Sequence, residues 1–124
     1  MIIGLGTDIV EISRIKKAIE RTSTFLEKVY TKKEIEYISQ KKNPYPSYAG
    51  RFAAKEAISK AFGTGVREFG LLDIEILNDD LGKPVVYLSG KLSKKYSGKL
   101  NLSISHSKEY ATATAILEEN KIKL

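Results

Sequence analysis

The segment RFAAKEAISKAFGTG, residues 51–65, limits the possible folds more than any other stretch. At about 100° per residue, Ala53, Ala54, Ala57, Ile58, Ala61 and Phe62 share half of a helical wheel. Alanines let a neighbouring backbone come close, so this half packs tightly against a sheet. Arg51, Phe52, Lys55, Glu56, Ser59 and Lys60 occupy the other half. Phe52 therefore falls where a solvated helix would carry only polar groups, and that face must be covered or leave the ring exposed. Gly63 is the preferred kind of residue to end the helix.

The partner sheet is legible in the rest of the chain. IIGLGTDIV alternates, with Ile3, Leu5 and Ile9 on one face and Gly4, Gly6 and Asp8 on the other. Ser13 is a plausible N-cap for a helix through about Arg21 that buries Ile12, Ile15 and Ile19. Thr31 and Glu34 fit a capping box opening a helix over roughly 32–41, with Ile35 and Ile38 inward. NPYP breaks that helix, and Ser47 or Tyr48 opens the alanine helix. DIEIL and PVVYL flank NDDLGK as a hairpin turning at Asp80 to Gly82, and GKLSKKYS is a short helix or turn. LNLSIS and YATATAIL form a second hairpin around HSKE. The expected fold is α+β, an antiparallel sheet with packed helices in one domain spanning 1–124.

Composition removes several chemistries. With no cysteine there is no disulfide, thiolate metal site or cysteine nucleophile, and one histidine excludes a multi-histidine zinc site within the chain. Any metal is held mostly by oxygen. No apolar run reaches the ~20 residues of a membrane span, and residues 1–5 lack the features of a secretory signal, so a cytoplasmic protein is expected. The net charge of +6 implies an anionic partner without choosing among nucleic acid, phosphorylated small molecule, acidic protein and membrane. GLGTDI lacks the third glycine of a dinucleotide loop, and no phosphate-binding G-x-x-x-x-G-K-[ST] occurs. Ser103 or Ser105 with His106 and Asp8 would give a hydrolase triad on paper, but no G-x-S-x-G elbow supports it.

The remaining candidates each have two readings. Glu56 and Lys60 are an i, i+4 pair, either a surface ion pair or part of a site. Asp8 either caps a turn or serves a site, and Gly4 and Gly6 beside it make sense if another group must come close. His106 is a structural histidine or a ligand. Arg14, Lys17 and Arg21 form a narrow basic arc opposite the isoleucines, a solvated face or a docking surface for an acidic partner.

GLGTDIVEI at 4–12, RFAAKEAISKAFGTG at 51–65, GKP at 82–84 and SISHSKEYATA at 103–113 resemble, in order and spacing, the motifs of the 4'-phosphopantetheinyl transferase family in its short bacterial form, the holo-[acyl-carrier-protein] synthases. The resemblance covers essentially the whole chain. It implies a magnesium-dependent enzyme that moves phosphopantetheine from coenzyme A to a serine of apo acyl carrier protein, releases adenosine 3',5'-bisphosphate and supports fatty acid biosynthesis. It also implies a homotrimer with active sites between subunits. Carried over by residue, Asp8 and Glu56 would bind magnesium together with the pyrophosphate and water. Lys60 would lie against the pyrophosphate, and Glu56, directly or through water, would take the serine proton. His106, Gly63, Thr64, Gly65 and Arg51 would contact coenzyme A. Arg14, Lys17 and Arg21 would meet the carrier protein. Neither nucleic acid nor membrane is expected as a partner. A basic nucleic-acid-binding module is the competing class, though fifteen acidic residues interrupt its positive charge. A non-catalytic coenzyme A-binding or trimeric scaffold is the third.

Overall fold

A computed structural model describes residues 1–63, 70–96 and 98–119. Strand β1 (Ile2–Glu11) leads into helix α1 (Ile12–Arg21), a short α2 (Phe25–Val29), α3 (Lys32–Ile38) and the long α4 (Tyr45–Phe62). A 3-10 turn, Leu71–Asp73, opens the hairpin β2 (Ile74–Asn78) and β3 (Pro84–Leu88), and α5 (Gly90–Lys95) precedes β4 (Lys99–His106) and β5 (Tyr110–Glu118). The strands form two antiparallel sheets, one of order β1-β5-β4 and one of β2-β3. The α+β expectation holds, with the first strand brought beside the last.

Helix α4 is the centre of the molecule. Ala53, Ala54, Ala57, Ile58 and Ala61 are buried together with Ala113, Ala115 and Leu117 of β5 and with Ile74 and Ile76 of β2. The small side chains on both elements let the helix lie unusually close to the sheet. A methyl group added at Gly6 would stand 1.9 Å from the carbonyl oxygen of Ala57, and one at Gly4 would stand 2.0 Å from that of Ala61. The group that must approach these glycines is therefore the backbone of α4, and their absence of side chain is a packing requirement. Two strand residues span about 6.8 Å and four helix residues about 6 Å, so the two contacts stay in step along the elements.

This inverts the usual sense of an amphipathic strand. The glycine face of β1 points inward, while Leu5 and Ile9 on the other face are 63% and 65% exposed. Thr7 lies between them on that outer face, paired with Thr114 of β5.

The polar half of α4 is covered as well, and Arg51, Lys55 and Ser59 are buried. Lys55 Nζ donates to the carbonyls of Val29 (2.7 Å) and Leu71 (3.1 Å) and to Glu34 Oε1 (2.7 Å). Glu34 in turn accepts from the backbone N–H of Thr31 (2.8 Å) and of Ile76 (2.7 Å). The expected capping box of α3 is present, and its glutamate doubles as the anchor of a buried ion pair. Desolvation lowers the Lys55 pKa, and the neighbouring Glu34 carboxylate opposes that shift. Ser59 satisfies its hydroxyl on the carbonyl of Lys55, one turn back.

Element boundaries shift in modest ways. Helix α1 begins at Ile12 after Glu11, without a side-chain cap, so Ser13 is inside it. Helix α4 begins at Tyr45 behind Pro44, with the second proline in its first turn where no N–H is missed. It ends as expected at Gly63, whose φ of 81° is left-handed. Asp79 organises the β2-β3 turn by accepting from the N–H groups of Leu81 and Lys83 at 2.9 Å.

Candidate active site

The close approach of α4 to β1 sets the position of the charged groups. Asp8 continues the inward face of β1 beyond Gly6, level with Ala113 in the neighbouring strand. Its backbone carbonyl accepts a 3.0 Å hydrogen bond from the Thr112 hydroxyl. Lys60 reaches across from α4 and donates to the carbonyl of Thr7 at 2.9 Å and to Asp8 Oδ1 at 3.3 Å. It pairs with Asp8 and not with Glu56, so the surface i, i+4 pair is not the arrangement adopted.

Glu56 and Asp8 line one groove, together with Val10 of β1, Arg14 and Ile15 of α1, Phe25 of α2 and Phe52 of α4. Burial pushes the Glu56 carboxyl above its ordinary value and the negative charge of Asp8 adds to the rise, while Lys60 partly opposes it. A carboxylate with a raised pKa is a stronger base. The groove thus joins two carboxylates to an apolar floor, and Asp8 also borders the neighbouring pocket that Lys60 lines.

Phe52 belongs to that floor. Its ring is half-buried and lies 6.4 Å from the ring of Phe25, at 30° to it. The cover expected over this face of α4 is helix α2, supplied by the same chain. Phe25 is the functional candidate that the sequence reading missed. A five-residue helix is too short for hydrophobic periodicity to register, and its isolated stability would be negligible.

The other candidates separate from this centre. Arg51 is 5% exposed, and its guanidinium donates to the carbonyl of Ile76 (3.1 Å) and to the side chain of Asn78. It is a tie between α4 and β2, apart from the groove of Asp8 and Glu56. His106 is exposed at the end of β4, with β5 between it and β1, and its ring lies 3.4 Å from the Ser107 carbonyl. Ser103 and Ser105 sit at odd positions of β4 and His106 at an even one, so they face opposite sides of the sheet and no triad forms. Gly63 closes α4 beside the site, whereas Thr64 and Gly65 lie outside the described residues. Arg14, Lys17 and Arg21 are all exposed on α1, with Arg14 at the edge of the groove.

A family pattern described as the 4'-phosphopantetheinyl transferase superfamily matches residues 4–115. The chain belongs to that superfamily. Within it, the transferase resembles the holo-[acyl-carrier-protein] synthase of Fusobacterium nucleatum, at 58% identity over 94% of this chain and 99% of the relative. The corresponding synthase of Clostridium novyi is also 58% identical, over 95% and 88%. Among solved structures, the Bacillus anthracis synthase in complex with CoA (3',5'-ADP) superposes with a TM-score of 0.86 at 44% identity, covering 97% of this chain and 99% of that one. The Helicobacter pylori synthase in complex with coenzyme A gives 0.83 at 36% identity, over 92% and 99%. This phosphopantetheinyl transferase is an enzyme with the fold of those synthases.

Proposed function

We propose that the enzyme transfers the 4'-phosphopantetheine arm of coenzyme A to a serine hydroxyl of apo acyl carrier protein, with magnesium, in support of fatty acid biosynthesis. The observation that bears most weight is that Asp8 lies between Glu56, with which it lines the groove, and Lys60, with which it pairs. The donor set suits magnesium. Two carboxylates and no histidine or thiolate leave most of an octahedron for phosphate oxygens and water. Among the described residues no third carboxylate or histidine completes a self-sufficient metal cluster. Bound magnesium would neutralise charge on the pyrophosphate as its bridging P–O bond breaks and adenosine 3',5'-bisphosphate leaves.

The side chains have separable tasks in this reading. Glu56, with its raised pKa, accepts the serine proton directly or through a water. Lys60 is long and half in solvent, so its ammonium can follow charge as it builds on the leaving phosphate. The basic arc of Arg14, Lys17 and Arg21 meets an acidic face of the carrier protein, and the neighbouring Phe25–Phe52 floor receives an apolar side chain beside it. His106 and Gly63 are contacts for coenzyme A, with Thr64 and Gly65. The exposed Ile3, Leu5 and Ile9 on the outer face of the sheet support assembly of copies through that face into a homotrimer with interfacial sites. The enzyme acts in the cytoplasm, and no described helix is long and apolar enough to cross a membrane.

Incubation with coenzyme A, magnesium and apo acyl carrier protein, followed by intact mass measurement, tests the reaction directly. A gain of one phosphopantetheine is expected, and it is lost with Asp8→Ala and with Glu56→Ala. Retained activity in either variant refutes the metal assignment. No mass gain with any carrier protein, together with salt-sensitive binding of arbitrary RNA, would favour the nucleic-acid module instead.

A further inference from the structure

In the reading just given, Lys60 serves the pyrophosphate, yet the structure has it engaged elsewhere. Its ammonium rests 3.3 Å from Asp8 Oδ1 and 2.9 Å from the carbonyl of Thr7. The carboxylate it neutralises is one of the two that would hold the divalent cation. An ammonium and a divalent cation on the same carboxylate repel each other, so the cation can occupy Asp8 fully only if Lys60 moves. Both contacts are at the surface and the lysine can swing away from them: its side chain is 56% exposed against 18% for Asp8, and it sits in the last turn of α4. The Thr7 carbonyl offers a neutral acceptor on the strand itself, which keeps the ammonium beside Asp8 without adding charge.

We propose that Lys60 is the resident counter-ion of Asp8, and that it gives up this carboxylate to the divalent cation when a pyrophosphate offers the ammonium a second anionic partner. Metal and coenzyme A binding are then coupled through one side chain. The inference rests on the metal reading of Asp8 and Glu56. Exchange of partners lets one lysine compensate Asp8 in the free enzyme and the phosphates in the loaded one. By thermodynamic reciprocity, the factor by which coenzyme A tightens the metal equals the factor by which the metal tightens coenzyme A.

The test is the affinity of the full-length enzyme for Mn2+, read from the electron paramagnetic resonance of the free ion, with and without coenzyme A. Lys60→Met should bind Mn2+ about three- to tenfold tighter than wild type without coenzyme A, because the competing cation of a partly exposed pair is gone. The enhancement that coenzyme A gives should shrink by a similar factor. Lys60→Arg keeps the charge and should follow wild type in the absence of coenzyme A. If Lys60→Met binds Mn2+ no tighter than wild type, including no measurable binding by either, the counter-ion role is overturned. Asp8→Asn separates the two ideas: if it leaves Mn2+ binding to the coenzyme A complex unchanged, the metal reading itself fails.

Discussion

Replacing Gly6 by alanine tests whether the site depends on the contact between β1 and α4. The added carbon would lie 1.9 Å from the Ala57 oxygen and 2.8 Å from the Ala61 nitrogen, both backbone atoms in the middle of a helix. Neither can rotate away, so the helix must retreat from 1.9 Å to an ordinary contact near 3.4 Å, a displacement of about 1.5 Å. Overpacking of a core usually costs about 1–3 kcal/mol, and a backbone obstacle places Gly6→Ala at or above the top of that range, about 3 kcal/mol. The same retreat moves Glu56 and Lys60 away from Asp8, and a misplacement of about 1 Å at a reacting centre can reduce rate roughly 100-fold. Urea unfolding and phosphopantetheine transfer measured on the same preparation read both effects. Gly90→Ala is the control, since no described atom lies within 4 Å of the added carbon and its φ is not left-handed, so its stability should stay within about 0.5 kcal/mol of wild type. A Gly6→Ala protein with wild-type stability and activity would refute the packing argument.

Three further outcomes follow from the buried and charged groups. Lys55→Met strands the Glu34 carboxylate at 0% exposure and should destabilise the fold by about 3–5 kcal/mol in denaturant unfolding. Adding Glu34→Leu should restore only part of this, since the N–H groups of Thr31 and Ile76 then lose their acceptor. Glu56 has a folded pKa above its unfolded one, so its ionised form opposes folding above the raised pKa, and that penalty is relieved as pH falls through it. Glu56→Gln should therefore raise the thermal midpoint of the unliganded enzyme at neutral pH while lowering transfer by about 10²–10⁴-fold; a lowered midpoint contradicts the sign. Charge reversal at Arg14 and Arg21 should raise KM for the carrier protein far more than KM for coenzyme A, and equal changes argue against the docking arc.

Local pattern sufficed for most elements. The capping box of Thr31 and Glu34, the left-handed stop at Gly63 and both hairpins depend on neighbours within a few residues, and each is where its residues indicate. The proximity of Asp8 and Glu56 was legible by a different route, as motifs of a recognisable family. Helical periodicity alone placed Lys55 and Arg51 on the polar half but could not name their partners, because a polar side chain on the outer half of a helix wheel is solvated only if nothing covers it. Here α3 and β2 do, with Glu34 and the Ile76 carbonyl as the compensating groups. Phe25 escaped notice because its five-residue helix depends on tertiary packing, including that of Phe25 on Phe52 and Tyr30.

What the sequence determined by itself is the inventory: oxygen ligands without thiols, an alanine-faced helix, an alternating strand with one bare face, and a family signature spread over the chain. The tertiary structure decided which face of that strand turns inward. Gly4 and Gly6 admit the backbone of α4, leaving Leu5 and Ile9 outside, and the same close contact brings Lys60 to Asp8. Alternation in a strand records that its two faces differ. Which face is buried depends on the shape of what packs against it, here a helix that fits only where side chains are missing.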